Sequence, residues 1–127
     1  MSWVLLLLGI LSEVIGTTSM KLSEGFTKLL PSITIFVFYG LSLTLVTLSL
    51  KHIDVSMAYA IWSGVGTAII AAIGILYFKE SVSIMKILSI AAIIAGVIGL
   101  HISDGIHEKK ASVSHIQWKK EIKELQT

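Results

Sequence analysis

Four apolar stretches of about twenty residues, separated by short lysine-bearing breaks, dominate this sequence: roughly 2–20, 32–50, 55–78 and 84–102. An α-helix rises about 1.5 Å per residue, so about 20 residues cross the ~30 Å hydrocarbon core of a bilayer. Membrane-barrel strands would instead run about 10 residues with alternating polarity, and these stretches do not alternate. Composition points the same way. The chain is 54% hydrophobic and 14% charged, where a soluble domain is about 45–50% apolar and about 25% charged. Too little polar surface exists to coat a water-soluble fold of this size. The expected fold is an all-α membrane protein, a four-transmembrane-helix bundle.

The breaks are short. Residues 21–31 are polar at the start and carry Gly25 and Pro31, natural punctuation for one helix end and the next start. Residues 51–54 and 79–83 are tighter still, which makes consecutive helices antiparallel neighbours. Glu13 interrupts the first stretch, no basic residue precedes it, and it is long enough to span, so it reads as the first helix rather than a signal peptide. Residues 1–103 therefore read as one transmembrane domain and 104–127 as a polar C-terminal tail. Chain ends usually lack order, so the tail is expected to be a frayed, solvated terminus. A short surface helix is the alternative, with Ile116, Ile122 and Leu125 sharing a face near Trp118.

A formal charge of +2 gives no case for nucleic acid, and the absence of cysteine removes disulfide and thiolate chemistry. With four spans, Lys21, Lys28, Lys79 and Lys86 lie on one side of the membrane. Lys51 lies on the other with the tail lysines Lys109, Lys110, Lys119 and Lys120. Five against four gives the positive-inside rule little to act on. Such a balance suits insertion in both orientations, and equally an ordinary protein oriented by a partner. A small bundle has little room for a guarded pathway, and two oppositely oriented copies would form an inverted-topology pair. Ala91, Ala92, Ala95, Gly96 and Gly99 offer a small-residue surface for that pairing, or for packing within one chain.

Glu13 stands near the middle of the first span. A charge at that depth costs at least ~2.5–3.5 kcal/mol on insertion scales and usually marks a function. Desolvation disfavours the charged form of a carboxyl in hydrocarbon, so it can hold a proton that an arriving cation displaces. A carboxyl merely satisfied by an interhelical hydrogen bond is the blander reading. Gly9, Gly16, Thr17 and Met20 lie at helical spacing from Glu13 and make a small, partly polar stripe. That stripe leaves room for a ligand or for another helix.

Tyr59 and Trp62 share a face of the third span, as Tyr39 and Ser42 do on the second. Aromatic faces near an acid suit an organic cation. Singly such residues more often pack helices or anchor at the lipid interface. Gly64 and Gly66 mark a plausible bend or hinge. His52, His101, His107 and His115 lack ligand spacing, so no metal is expected. No phosphate loop or nucleophile arrangement is present, so neither a cofactor nor an enzyme is expected.

The first helix reads S-E-V-I-G-T-T over residues 12–18, followed by K-L-S-E-G-F-T-K over 21–28 and Pro31-Ser32. The third reads A-Y-A-I-W-S-G-V-G-T over 58–67. Over roughly residues 1–103 the sequence resembles the small multidrug resistance family of proton-coupled exporters. That resemblance implies an antiparallel, dual-topology dimer in a bacterial inner membrane, exchanging protons for cationic hydrophobic substrates. Glu13 of each subunit would bind both proton and substrate. Tyr39, Tyr59 and Trp62 would line the pocket, Ser42 would lie near it, and Gly64 and Gly66 would kink the third helix. Ala92, Ala95, Gly96 and Gly99 would serve dimer packing.

The guanidinium-exporting type is similar but places a Trp three residues after the glutamate, where this chain has Gly16, then Thr17 and Thr18. That favours the type exporting quaternary ammonium and other lipophilic cations. The run I-D-V-S-M-A-Y-A over 53–60 also resembles a polyamine-exporting pair, which leaves a heterodimer with a paralogue open. Two functions therefore stand at this point: a self-sufficient homodimeric exporter, and a subunit inactive without its paralogue.

Overall fold

The structure, a computed structural model, describes residues 1–126. Those residues form four helices and no strand: α1 (Ser2–Leu22), α2 (Leu29–Ser49), α3 (Val55–Leu76) and α4 (Ile84–Leu125). Each is long and apolar enough to cross a membrane.

Local sequence explains the helix ends. Pro31 falls in the first turn of α2, where its missing N–H would have no intrahelical partner anyway. Between α1 and α2, Glu24, Gly25 and Phe26 all adopt positive φ. Gly25 takes this freely; Glu24 and Phe26 take it at a cost. Lys28 meets Glu24 at 2.6 Å and the Phe26 ring stacks on Phe36, holding this turn. Spans rich in Ser and Thr stay helical because their hydroxyls bond back one turn. Thr18 donates to Val14 O, Ser19 to Ile15 O, Thr44 to Gly40 O and Thr47 to Leu43 O. No hydroxyl in this set faces lipid unpaired.

The chain divides into two compact units, Met1–Val97 and the segment from Ile98 onward. In the first, α1 is the central helix. It packs along α2 and, over a shorter length, against α3. The core is small: Leu6, Ile10 and Val14 of α1 against Met57 and Ala58 in the first turn of α3 and Ile53 just before it. Bare glycine surfaces let the helices close. A Cβ at Gly9 would stand 2.8 Å from Val46 of α2, and one at Gly64 would stand 2.5 Å from Val97 of α4. Most large apolar side chains face outward, including Leu7, Phe36, Ile87 and Leu88, and lipid is what covers them.

The second unit is helical. The segment after Ile98 continues as α4 to Leu125, with no break at the polar transition. A frayed terminus was the expectation from polarity, but nothing in the sequence stops the helix. The only proline is Pro31, and Gly105 alone costs about 1 kcal/mol relative to alanine.

Candidate functional site

Glu13 lies in α1, partly buried, and is fixed by two hydroxyls. Thr17, one turn on, donates from Oγ1 to Glu13 Oε1 at 2.7 Å. The Tyr39 hydroxyl of α2 lies 2.7 Å from Thr17 Oγ1 and 3.5 Å from Glu13 Oε1. A threonine has one hydroxyl proton, and Thr17 gives it to the carboxylate. Tyr39 must therefore donate to Thr17, making a relay from Tyr39 through Thr17 to Glu13. Thr17 serves Oε1 directly, and Tyr39 serves it through Thr17. The other oxygen, Oε2, faces Gly66 of α3, where an added Cβ would stand 3.2 Å away.

Beside Glu13 opens a cavity of about 660 Å³, lined by Glu13, Thr17 and Thr18 of α1 and by Tyr59, Trp62, Ser63, Gly66 and Thr67 of α3. Tyr59 and Trp62 meet edge to face, with centroids 5.7 Å apart. Ring surface and a carboxylate thus share one chamber, which suits a cation with an apolar body. The Trp62 Nε1 hydrogen is buried and unpartnered among the described residues.

The sequence candidates divide on this geometry. Glu13, Thr17, Tyr59, Trp62 and Gly66 line the cavity, and Tyr39 reaches it through Thr17. Gly16 receives a ring, not a ligand: a Cβ there would lie 2.6 Å from Tyr39 Cδ2. Ser42 is buried on α2, outside the cavity lining, with its hydroxyl unpartnered among the described residues. The helix α3 runs unbroken through Gly64 and Gly66; their bare surfaces face Val97 and Glu13 respectively. Ala92, Ala95, Gly96 and Gly99 lie exposed on α4, and nothing among the described residues stands within 4 Å of a Cβ built on either glycine. Among the described residues no cluster of His, Cys, Asp or Glu could hold a metal.

Gly16→Ala is expected to push the Tyr39 ring off α1 and lengthen the hydroxyl relay, at about 1–3 kcal/mol of packing cost. A thermal melt in detergent would show the loss. An unchanged midpoint would mean that the ring moves aside freely.

Sequence reading missed the far part of the cavity. There Glu80, in the connection after α3, accepts from Lys21 Nζ at 2.6 Å and from Lys86 Nζ at 3.3 Å. Lys21 Nζ also sits 4.8 Å from the Phe78 ring centroid. The sequence used both lysines only as orientation charges. Hydrogen bonds from Lys21 and Lys86 hold the Glu80 carboxyl below the ordinary glutamate range. The sign is that of a depressed acid: the stabilisation is complete at neutral pH and disappears as pH falls through the lowered value. Exposure and salt screening keep the pairs weak.

Helices of spanning length define a multi-pass membrane protein whose cavity combines an acid with aromatic rings. The family model described as Small Multidrug Resistance protein matches residues 1–94. The chain belongs to that family, whose members are transporters rather than enzymes, and is a multi-pass bacterial membrane protein. It is 57% identical over 106 residues to the uncharacterised membrane protein YvaE of Bacillus subtilis, covering 84% of this chain and 89% of that one. It is 46% identical over 105 residues to the multidrug resistance protein EbrB of the same organism, covering 83% and 90%. With the multidrug resistance protein mmr of Mycobacterium bovis it shares 37% over 108 residues, covering 84% and 100%.

Proposed function

We propose that this chain is a proton-coupled exporter of lipophilic and quaternary ammonium cations, acting by alternating access around Glu13. The observation that carries this reading is the split use of the carboxylate. Thr17 and Tyr39 engage Oε1, while Oε2 faces the bare backbone of Gly66 beside the Tyr59 and Trp62 rings. One oxygen is held in place and the other is left for a proton or a cargo cation. Both cannot occupy it at once, so cation entry releases a proton and protonation expels the cation.

The functional unit is an antiparallel homodimer. The open small-residue stripe of Ala92, Ala95, Gly96 and Gly99 supports it, because backbones approach closely only where side chains are small. The buried Trp62 Nε1 and Ser42 hydroxyl, both unpartnered among the described residues, would gain partners from the second copy.

Binding of tetraphenylphosphonium to the purified protein across a range of pH tests the reading. Affinity is expected to rise with pH, with protons released on binding. Absence of binding at every pH would sink the homodimeric reading and point to a guanidinium-type cargo or an obligate paralogue.

A further inference from the structure

The same cavity holds a second acid-and-ring pair, already filled by the chain's own ammonium. Lys21 Nζ is 2.6 Å from Glu80 Oε1 and 4.8 Å from the Phe78 ring centroid. A carboxylate on one side and an aromatic face on the other are what an organic ammonium ion requires. Phe78, Glu80, Lys21 and Lys86 line the cavity together with Glu13 and Trp62.

Glu80 is placed there by backbone. Its N–H donates to Gly74 O at 3.0 Å, and its carboxylate lies over the bare surface of Gly74 in α3. A Cβ at Gly74 would stand 2.7 Å from Glu80 Oε2 and 3.0 Å from its carboxyl carbon. The glycine therefore makes the notch that holds the acid. Lys21 lies eight residues beyond Glu13 on α1, roughly 12 Å along the helix at 1.5 Å per residue. That is far enough for two separate positions in one cavity.

We propose that Glu80 and Phe78 form a second subsite for organic ammonium and phosphonium cations, which Lys21 occupies as a tethered stand-in until cargo displaces it. The subsite rests on the exporter reading for its purpose but not for its chemistry. Because Lys21 is weakly held at an exposed pair, cargo displaces it readily on its way to or from Glu13. Glu80, kept ionised by Lys86 and by whichever cation sits against it, offers attraction without proton exchange, so coupling stays with Glu13.

The test is equilibrium dialysis of tetraphenylphosphonium against purified full-length variants, in a Glu13→Gln background that silences the main position. Weak binding is expected to remain. Lys21→Met should strengthen it on the order of tenfold by removing the competitor, and adding Glu80→Gln should eliminate it. Gly74→Ala, which moves the carboxylate without altering any charge, should weaken it severalfold. Opposite effects of Lys21→Met and Glu80→Gln cannot both arise from misfolding.

If residual binding ignores Glu80→Gln, or if Lys21→Met in the Glu13→Gln background binds nothing, the subsite is overturned. If Glu13→Gln alone binds as tightly as the unaltered protein, the exporter reading fails instead. The Lys21 and Glu80 comparisons still decide the subsite in that case.

Discussion

Replacing Glu13 with glutamine is expected to abolish resistance to ethidium and to lower tetraphenylphosphonium affinity at least about 100-fold. The shape of the side chain is kept, and Thr17 can still donate to the amide oxygen as it does to Oε1. What disappears is the negative charge beside the Tyr59 and Trp62 rings. Interactions of this charge-assisted kind are worth about 1.5–3 kcal/mol even where solvent competes, and each 1.4 kcal/mol is tenfold in affinity. A partly buried site between helices is less screened than water, which moves the effect to the upper end or beyond. Glutamine also carries no exchangeable acid proton, so pH dependence of binding should vanish with the affinity. Growth on ethidium alongside direct binding measures both. Equal resistance from the variant and the unaltered chain would remove Glu13 from the mechanism.

The spans were legible because lipid imposes a length, and length can be counted. Three of the four helix starts fall within a residue or so of the expected positions: Ser2, Val55 and Ile84. The fourth, α2, begins at Leu29, ahead of Pro31, because a proline is tolerated inside a first turn as well as before it. Glu13 was legible for the opposite reason, as a costly exception to the pattern. Less legible was what each small residue makes room for. Gly16 and Gly66 look alike in sequence, yet one receives the Tyr39 ring and the other the Glu13 carboxylate. Which neighbour arrives depends on how α2 and α3 dock, and no local periodicity encodes that.

The charged end of the cavity was illegible for a related reason. Lys21 and Glu80 stand 59 residues apart, and only the antiparallel return of α3 brings them together. Their residue types gave no warning, since a lysine and a glutamate between spans are ordinarily solvated. Polarity points to a frayed tail first and a short surface helix only as the alternative, whereas α4 runs helical to Leu125. Polarity removes the reason to bury a segment, but it does not remove helix propensity, and lysine and glutamate are good helix formers.

Gly66→Val is expected to reduce tetraphenylphosphonium affinity on the order of tenfold or more, while Gly66→Ala changes it by less than about threefold. The two variants differ only in how far they reach toward Glu13. An alanine Cβ stands 3.2 Å from Glu13 Oε2, a tight contact that the end of a flexible side chain relieves by a few tenths of an ångström. Valine adds two methyl groups on a helix where its χ1 is nearly fixed, so relief by rotation is not available. The carboxylate must then turn away, straining the bond from Thr17 to Oε1 and the relay from Tyr39 behind it, or α3 must back off from α1 at about 1–3 kcal/mol. Either response places the acid wrongly for a cation held against Tyr59 and Trp62, with no charge removed. Affinity measured for both variants beside a thermal melt separates these responses. Lost affinity with an intact melt means the carboxylate has turned, and lost affinity with a lowered melt means the helices have parted. Unaltered affinity in Gly66→Val would show that Oε2 is not the oxygen that meets the cargo.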